Sequence, residues 1–195
     1  MRYPPLTRRD MNQEQRRAVQ AVTKRRKPSV SSEGGVEGPF IPLVYIPGIL
    51  DRMQAVGEHC RFHTSLPAKL RELAIMITGR YVSAQIEFHV HAMEARHFGL
   101  PEATISAVAA NQRPENMAAD EEIVYDFCTS YHSQGEVSDE VFKKTSDAFG
   151  QAGVIELMTT CGYYGMLGLS MNVSHPPMPE FLKAGYKAPF PVPND

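Results

Sequence analysis

The 195-residue chain has no tryptophan and only three cysteines, Cys60, Cys128 and Cys161. No CxxC pair occurs, so neither a thiolate zinc site nor a disulfide framework is supported, and buried structural thiols in a reducing, cytoplasmic compartment are the expectation. An excess of one charge is also missing. The 20 Lys and Arg against 22 Asp and Glu leave a net charge of -2, which argues against general attraction to nucleic acid or to an acidic membrane. No long apolar run is present. The least charged stretch, residues 155–174, contains Glu156, Cys161, Asn172 and several glycines, a composition for a buried helix rather than a membrane span. Alternating, β-branched runs are absent as well. With hydrophobic residues at 43%, enough remains for a helical core, and the fold class expected is all-α.

Charge is unevenly spread. Residues 1–28 hold nine Lys/Arg against Asp10 and Glu14. No apolar segment follows in the manner of a targeting peptide. Leu6 to Lys27 reads as a helix with Thr7 as N-cap and Lys24–Lys27 in its last turn, stopped by Pro28. Ser29 to Pro39 is a Ser/Gly loop. Three regions follow: an N-terminal arm (1–39), a helical domain (40–175) and a Pro-rich tail (176–195) expected to lie extended.

Within the domain, Phe40 to Ile49 reads as a short extended segment because of Pro42, Pro47 and Gly48. Helices are expected over Pro47–His63, Leu66–Arg80 with Ser65 as N-cap, and Ser83–Phe98 stopped by Gly99. Further helices cover Pro101–Asn111, Ala119–Tyr131, Ser138–Phe149 and Gln151–Met171. Leu70-Arg71-Glu72-Leu73 is echoed by Val154-Ile155-Glu156-Leu157, which allows two similar helical halves.

The polar residues of chemical interest lie on the Ser83–Phe98 helix. At about 100° per residue, Ala84, Glu87, His91, Glu94 and Phe98 form one stripe. Glu87 and His91 are i,i+4 neighbours. A carboxylate beside an imidazole favours the imidazolium and fixes the ring, an arrangement fit to move a proton near neutral pH. The plain alternative is a surface ion pair worth about 0.3–0.5 kcal/mol. Glu72 lies in an apolar segment, where a carboxylate needs a partner: Arg61, Arg71 or Arg80 in a salt bridge, or His91 in a second acid–base role. His89 and His97 fall on the opposite side of the helix.

Leu70-Arg-Glu-Leu-Ala-Ile-Met-Ile, then Glu87-Phe-His-Val-His91, then Ala95 to Gly99-Leu-Pro-Glu, resembles the core of the carboxymuconolactone decarboxylase and alkylhydroperoxidase-D superfamily. Gly38-Pro39-Phe40, Ser65-Leu66-Pro67 and the Gly162-Tyr163-Tyr164 helix resemble the flanks of its longer members. The resemblance spans roughly Leu6 to Pro179. It implies a multi-helix alkylhydroperoxidase-D-like fold, assembled as a homo-trimer or hexamer. Ala84 and Glu87 stand where the peroxidase branch has its two cysteines, so the dithiol cycle of that branch is not expected.

What the resemblance then implies is a lyase of aromatic compound catabolism, free of cofactor and metal, acting on a small organic acid or lactone through an enolate-like intermediate. Glu72, Glu87 and His91 are its candidate catalytic residues, and Glu58, Arg61, Tyr45 and Phe88 its candidate substrate contacts. No nucleic-acid or membrane partner is expected. Two alternatives stay open: a metal enzyme in which Glu72, Glu87 and His91 are joined by His59 or His63, and a non-catalytic oligomeric relative.

Overall fold

The computed structural model describes residues 1–24, 31, 33–184 and 186–191, and no β-strand occurs among them. The regular structure of the described residues is all helical. It divides into two compact units, one of residues 1–59 and 167–187, the other of residues 60–166 and 188–195.

In the first unit, helix α1 spans Gln13–Thr23 and buries Ala18, Val19 and Val22. It starts later than Leu6. The Thr7 amide and hydroxyl both donate to the Asp10 carboxylate, closing a turn, while Asn12 and Gln15 form a reciprocal capping box. That pair satisfies two of the free amides of the first turn, so the helix begins there. Lys24 is its C-cap, and the rest of the basic cluster, Pro28 and part of the Ser/Gly loop lie outside the described residues. The segment expected to be extended after Pro39 is instead two 3-10 turns, Gly38–Phe40 and Pro42–Tyr45. Each carries proline in its first turn, where no amide is needed. Helix α2 follows over Pro47–Phe62 and runs into the second unit. The tail is not simply extended: Glu180–Lys183 forms a short helix, α8, with Leu182 buried.

The second unit is built around α3 (Ala68–Tyr81), buried continuously from Leu70 to Gly79. A helix enclosed on all sides carries no polar face, so each polar group on it must be matched by a neighbour. A turn through Val82 and Ser83, the latter at φ 56, leads directly into α4 (Gln85–His97). At Gly79 an added Cβ would come within 3.3 Å of the Phe88 amide nitrogen. The missing side chain lets the two helices close on each other. Gly99, at φ 84, ends α4 as expected. Helices α5 (Glu102–Ala109) and α6 (Ala119–Gln134) follow. The two expected C-terminal helices run end to end as α7 (Asp139–Ser174), interrupted only at Gly150 with φ 71. Phe190, from the tail, is buried in this unit with its ring edge-on to Phe88 at 5.3 Å.

Ser65 does not cap α3, whose N-cap position is Pro67. The Ser65 amide and hydroxyl and the Thr64 hydroxyl all donate to Glu156 Oε2, at 2.9, 2.6 and 3.0 Å. Glu156, the echo of Glu72, therefore ties the start of α3 to α7. Glu156→Ala is expected to cost about 1–3 kcal/mol, since it strands several donors at once. Ser65→Ala should cost less. Urea unfolding of both variants checks the order; equal and negligible losses would show that the turn holds without the carboxylate.

Candidate active site

Glu72 and His91 stand at nearly the same distance on either side of the Val82–Ser83 turn. An antiparallel hairpin brings such residues to one level. Glu72 is 0% exposed, His91 4% and Glu87 6%, so Glu87 and His91 are not a surface pair. His91 Nδ1 lies 2.5 Å from Glu72 Oε2, and His91 Nε2 lies 3.3 Å from Glu87 Oε1. One imidazole is thus held between two carboxylates.

The second Glu72 oxygen is taken as well. Arg71 donates to Oε1 from Nε at 3.0 Å and from Nη2 at 2.8 Å, and its Nη1 donates to the Arg61 carbonyl at 3.0 Å. The Arg71 guanidinium also lies 5.8 Å from the centre of the Phe98 ring, within cation–π range. The Tyr164 ring meets His91 edge-on at 4.9 Å. Arg61 approaches Glu94 at 3.5 Å. Its charge is opposed by burial and favoured more strongly by Tyr164, Glu72 and Glu94.

Neighbouring charges push Glu72 and His91 in opposite directions. Burial alone opposes the Glu72 anion, but His91, then Arg61 and Arg71, outweigh it and hold the carboxyl at about 2. Burial likewise opposes the His91 cation, and Glu72 and Glu87 outweigh it, so its value lies above the ordinary 6.5. The short bond assigns the Nδ1 proton to the Glu72 side and leaves Nε2, facing Glu87 across the longer gap, as the nitrogen able to exchange its proton. Glu87 sits in the first turn of α4, where the helix dipole favours a carboxylate.

No family model, curated protein or solved structure matches the chain. Its reading therefore rests on its own residues. Of the sequence candidates, Glu72, Glu87, His91 and Arg61 come together. Phe88 is enclosed in the core against Phe190. Tyr45 and Glu58 belong to the first unit, where the Tyr45 hydroxyl donates to the Pro4 carbonyl at 2.8 Å. Arg80 is engaged elsewhere, its Nε donating to the Ala109 carbonyl and its guanidinium 4.5 Å from the Phe190 ring. Among the described residues, no group of three or more His, Cys, Asp or Glu is arranged to hold a metal ion. Two clefts of the first unit, one lined by Arg8, Arg16 and Gln20 and the other by Glu37, Met178 and Lys183, involve none of the Glu–His–Glu residues.

Two members of the set were missed as site residues. Arg71 adjoins Glu72 in sequence, and a long guanidinium side chain can fold back on its neighbour; the sequence marks it only as one of three possible partners. Tyr164 carries no such signal, because its approach to His91 depends on how α7 packs.

Proposed function

We propose that this chain is a cofactor-free acid–base enzyme acting on a small oxygenated organic acid or lactone, of the carboxymuconolactone decarboxylase type with an alkylhydroperoxidase-D-like fold. The observation that carries the reading is the buried Glu72–His91–Glu87 chain, with Nδ1 anchored at 2.5 Å and Nε2 more loosely held. Glu72 orients the ring and stabilises the imidazolium, as a buried carboxylate does for a catalytic histidine elsewhere. His91 Nε2 carries the mobile proton, and Glu87 stands beside it to receive or return one.

Loss of CO2 from a carboxylated lactone breaks the bond to the carboxyl carbon and leaves its electron pair as a dienolate. The His91 imidazolium delivers its Nε2 proton to a carbon of that dienolate, and the neutral ring regains one from water by way of Glu87. An anionic substrate needs a cation to offset Glu87 and Glu94. Arg61, with part of its side chain accessible, supplies that charge, because Arg71 is committed to Glu72.

The test combines two assays on the same protein: CO2 release from a carboxylated unsaturated lactone, and incorporation of solvent deuterium next to the lactone carbonyl. The wild-type chain should perform at least the exchange. Glu87→Gln and His91→Gln, checked as folded by circular dichroism, should lose roughly 10²–10⁴-fold in rate. Unchanged rates in both folded variants, or no exchange by the wild type on any of a panel of lactones and keto acids, would sink the reading.

A further inference from the structure

A second polar cluster lies along α3 and α7, beyond the one that holds His91. Cys128 of α6 and Cys161 of α7 are both buried and free, with their sulfurs 3.5 Å apart. They are separated by 33 positions, so spacing rules built on short motifs do not find them. His132 follows Cys128 by one helical turn. Its Nε2 lies 2.9 Å from Thr78 Oγ1, and that hydroxyl donates to the Ala74 carbonyl at 2.8 Å.

The two thiols are not equivalent. Burial pushes Cys128 well up. Cys161 is drawn down, first by the hydrogen bond from Cys128, against burial, and further by His132 and Thr78. Tyr81, exposed at the surface, stacks on His132 at 4.8 Å. Tyr81 thus covers His132 on its surface side, and both thiols lie beneath, buried.

We propose that Cys128 and Cys161 form a redox-active dithiol, distinct from the Glu–His–Glu site, that a small hydroperoxide converts to a disulfide. The Cys161 thiolate attacks the peroxide oxygen, the O–O bond breaks, and the leaving oxygen takes a proton to depart as water or an alcohol. Cys161 is now a sulfenic acid. The Cys128 thiolate, after losing its proton, attacks the Cys161 sulfur and displaces hydroxide, which leaves as water once protonated. Two thiols have lost two electrons and two protons, and the peroxide has gained both. The sulfurs start 3.5 Å apart, in van der Waals contact, against roughly 2.05 Å in a disulfide bond. Asymmetry between attacking and resolving thiol is what such a pair requires.

The experiment treats the folded, full-length wild-type chain with hydrogen peroxide. Free thiols should fall from three to one, the intact mass should drop by two hydrogens, and a proteolytic digest should contain a peptide linking Cys128 to Cys161. Dithiothreitol should reverse all three changes. Cys60→Ser should still form the link. Cys128→Ser should stop at a Cys161 sulfenic acid that dimedone traps, and His132→Asn should slow oxidation about tenfold or more at pH 7. Three thiols persisting in the folded protein, a bond that involves Cys60, or a Cys128–Cys161 link formed only after denaturation would each overturn the proposal. Because the primary readout is on the wild-type chain, a poorly folding variant does not remove the test. Lactone turnover is not involved in it.

Discussion

Glu72→Ala is expected to destabilise the fold by about 3–5 kcal/mol, measured by urea or guanidinium unfolding. Glu72 receives Arg71 on one oxygen and His91 on the other with no exposed surface of its own. Removing it leaves a guanidinium and an imidazole facing an empty space inside the helical core. His91 would then lose the partner that most favours its cation. The cost is therefore that of stranding charges, not the net worth of one ion pair. Glu87→Ala should cost less, since its distance to His91 is 3.3 Å and its side chain retains some exposure. An exposed control is Glu140→Ala, whose partner Lys144 is also on the surface; it should produce no measurable change. A Glu72→Ala chain as stable as wild type would mean that water enters the site and solvates Arg71.

The second large effect is on pH dependence, and both partners set its sign. The Glu72 carboxyl, at about 2, lies below its ordinary 4.5. Its contribution is complete above that ordinary value and is lost as pH falls through the folded one. His91 is raised above 6.5, so its contribution is complete below 6.5 and is lost as pH rises through the raised value. The pair should stabilise most between about pH 5 and 6.5, with limiting slopes on each side approaching about 1.4 kcal/mol per pH unit for one proton. Measured as wild type minus the Glu72→Gln/His91→Gln double variant, the unfolding free energy should trace a dome across pH 2 to 9. A flat difference, or one that keeps rising above neutrality, would mean that the imidazole is buried in its neutral form.

The helices that turn chemistry defines were readable in advance. Proline and glycine punctuation located α2, α4 and α5 to within a few residues, and Gly99 stopped α4 with the left-handed backbone expected of it. Helix starts were read less well. Thr7 and Ser65 are both good capping types, yet Thr7 closes a local turn with Asp10 and Ser65 serves Glu156, more than ninety positions away. A hydroxyl bonds to whatever acceptor the fold supplies, so residue type alone leaves its partner open. Pro42 and Pro47 suggest an extended segment, whereas Pro42 opens a 3-10 turn and Pro47 opens α2, positions equally compatible with their fixed φ.

The cysteines make the same point from the other direction. The absence of a CxxC pattern limits what neighbouring residues can do on one helix and says nothing about two helices packed side by side. Cys128 and Cys161 meet because α6 and α7 bring them together.

For the Glu72–His91–Glu87 chain, the sequence by itself determined the i,i+4 spacing of Glu87 and His91 and the placing of Glu72 in an apolar helix. It also set Glu72 and His91 at matching distances from one turn. Those are properties of periodicity and chain length. Only the tertiary structure decided that Glu87 and His91 are buried, that Arg71 takes the second oxygen of Glu72 and that the two carboxylates raise His91 above its ordinary value. Desolvation and charge compensation depend on every neighbour within a few ångströms, and those neighbours come from α2, α3, α4 and α7 together.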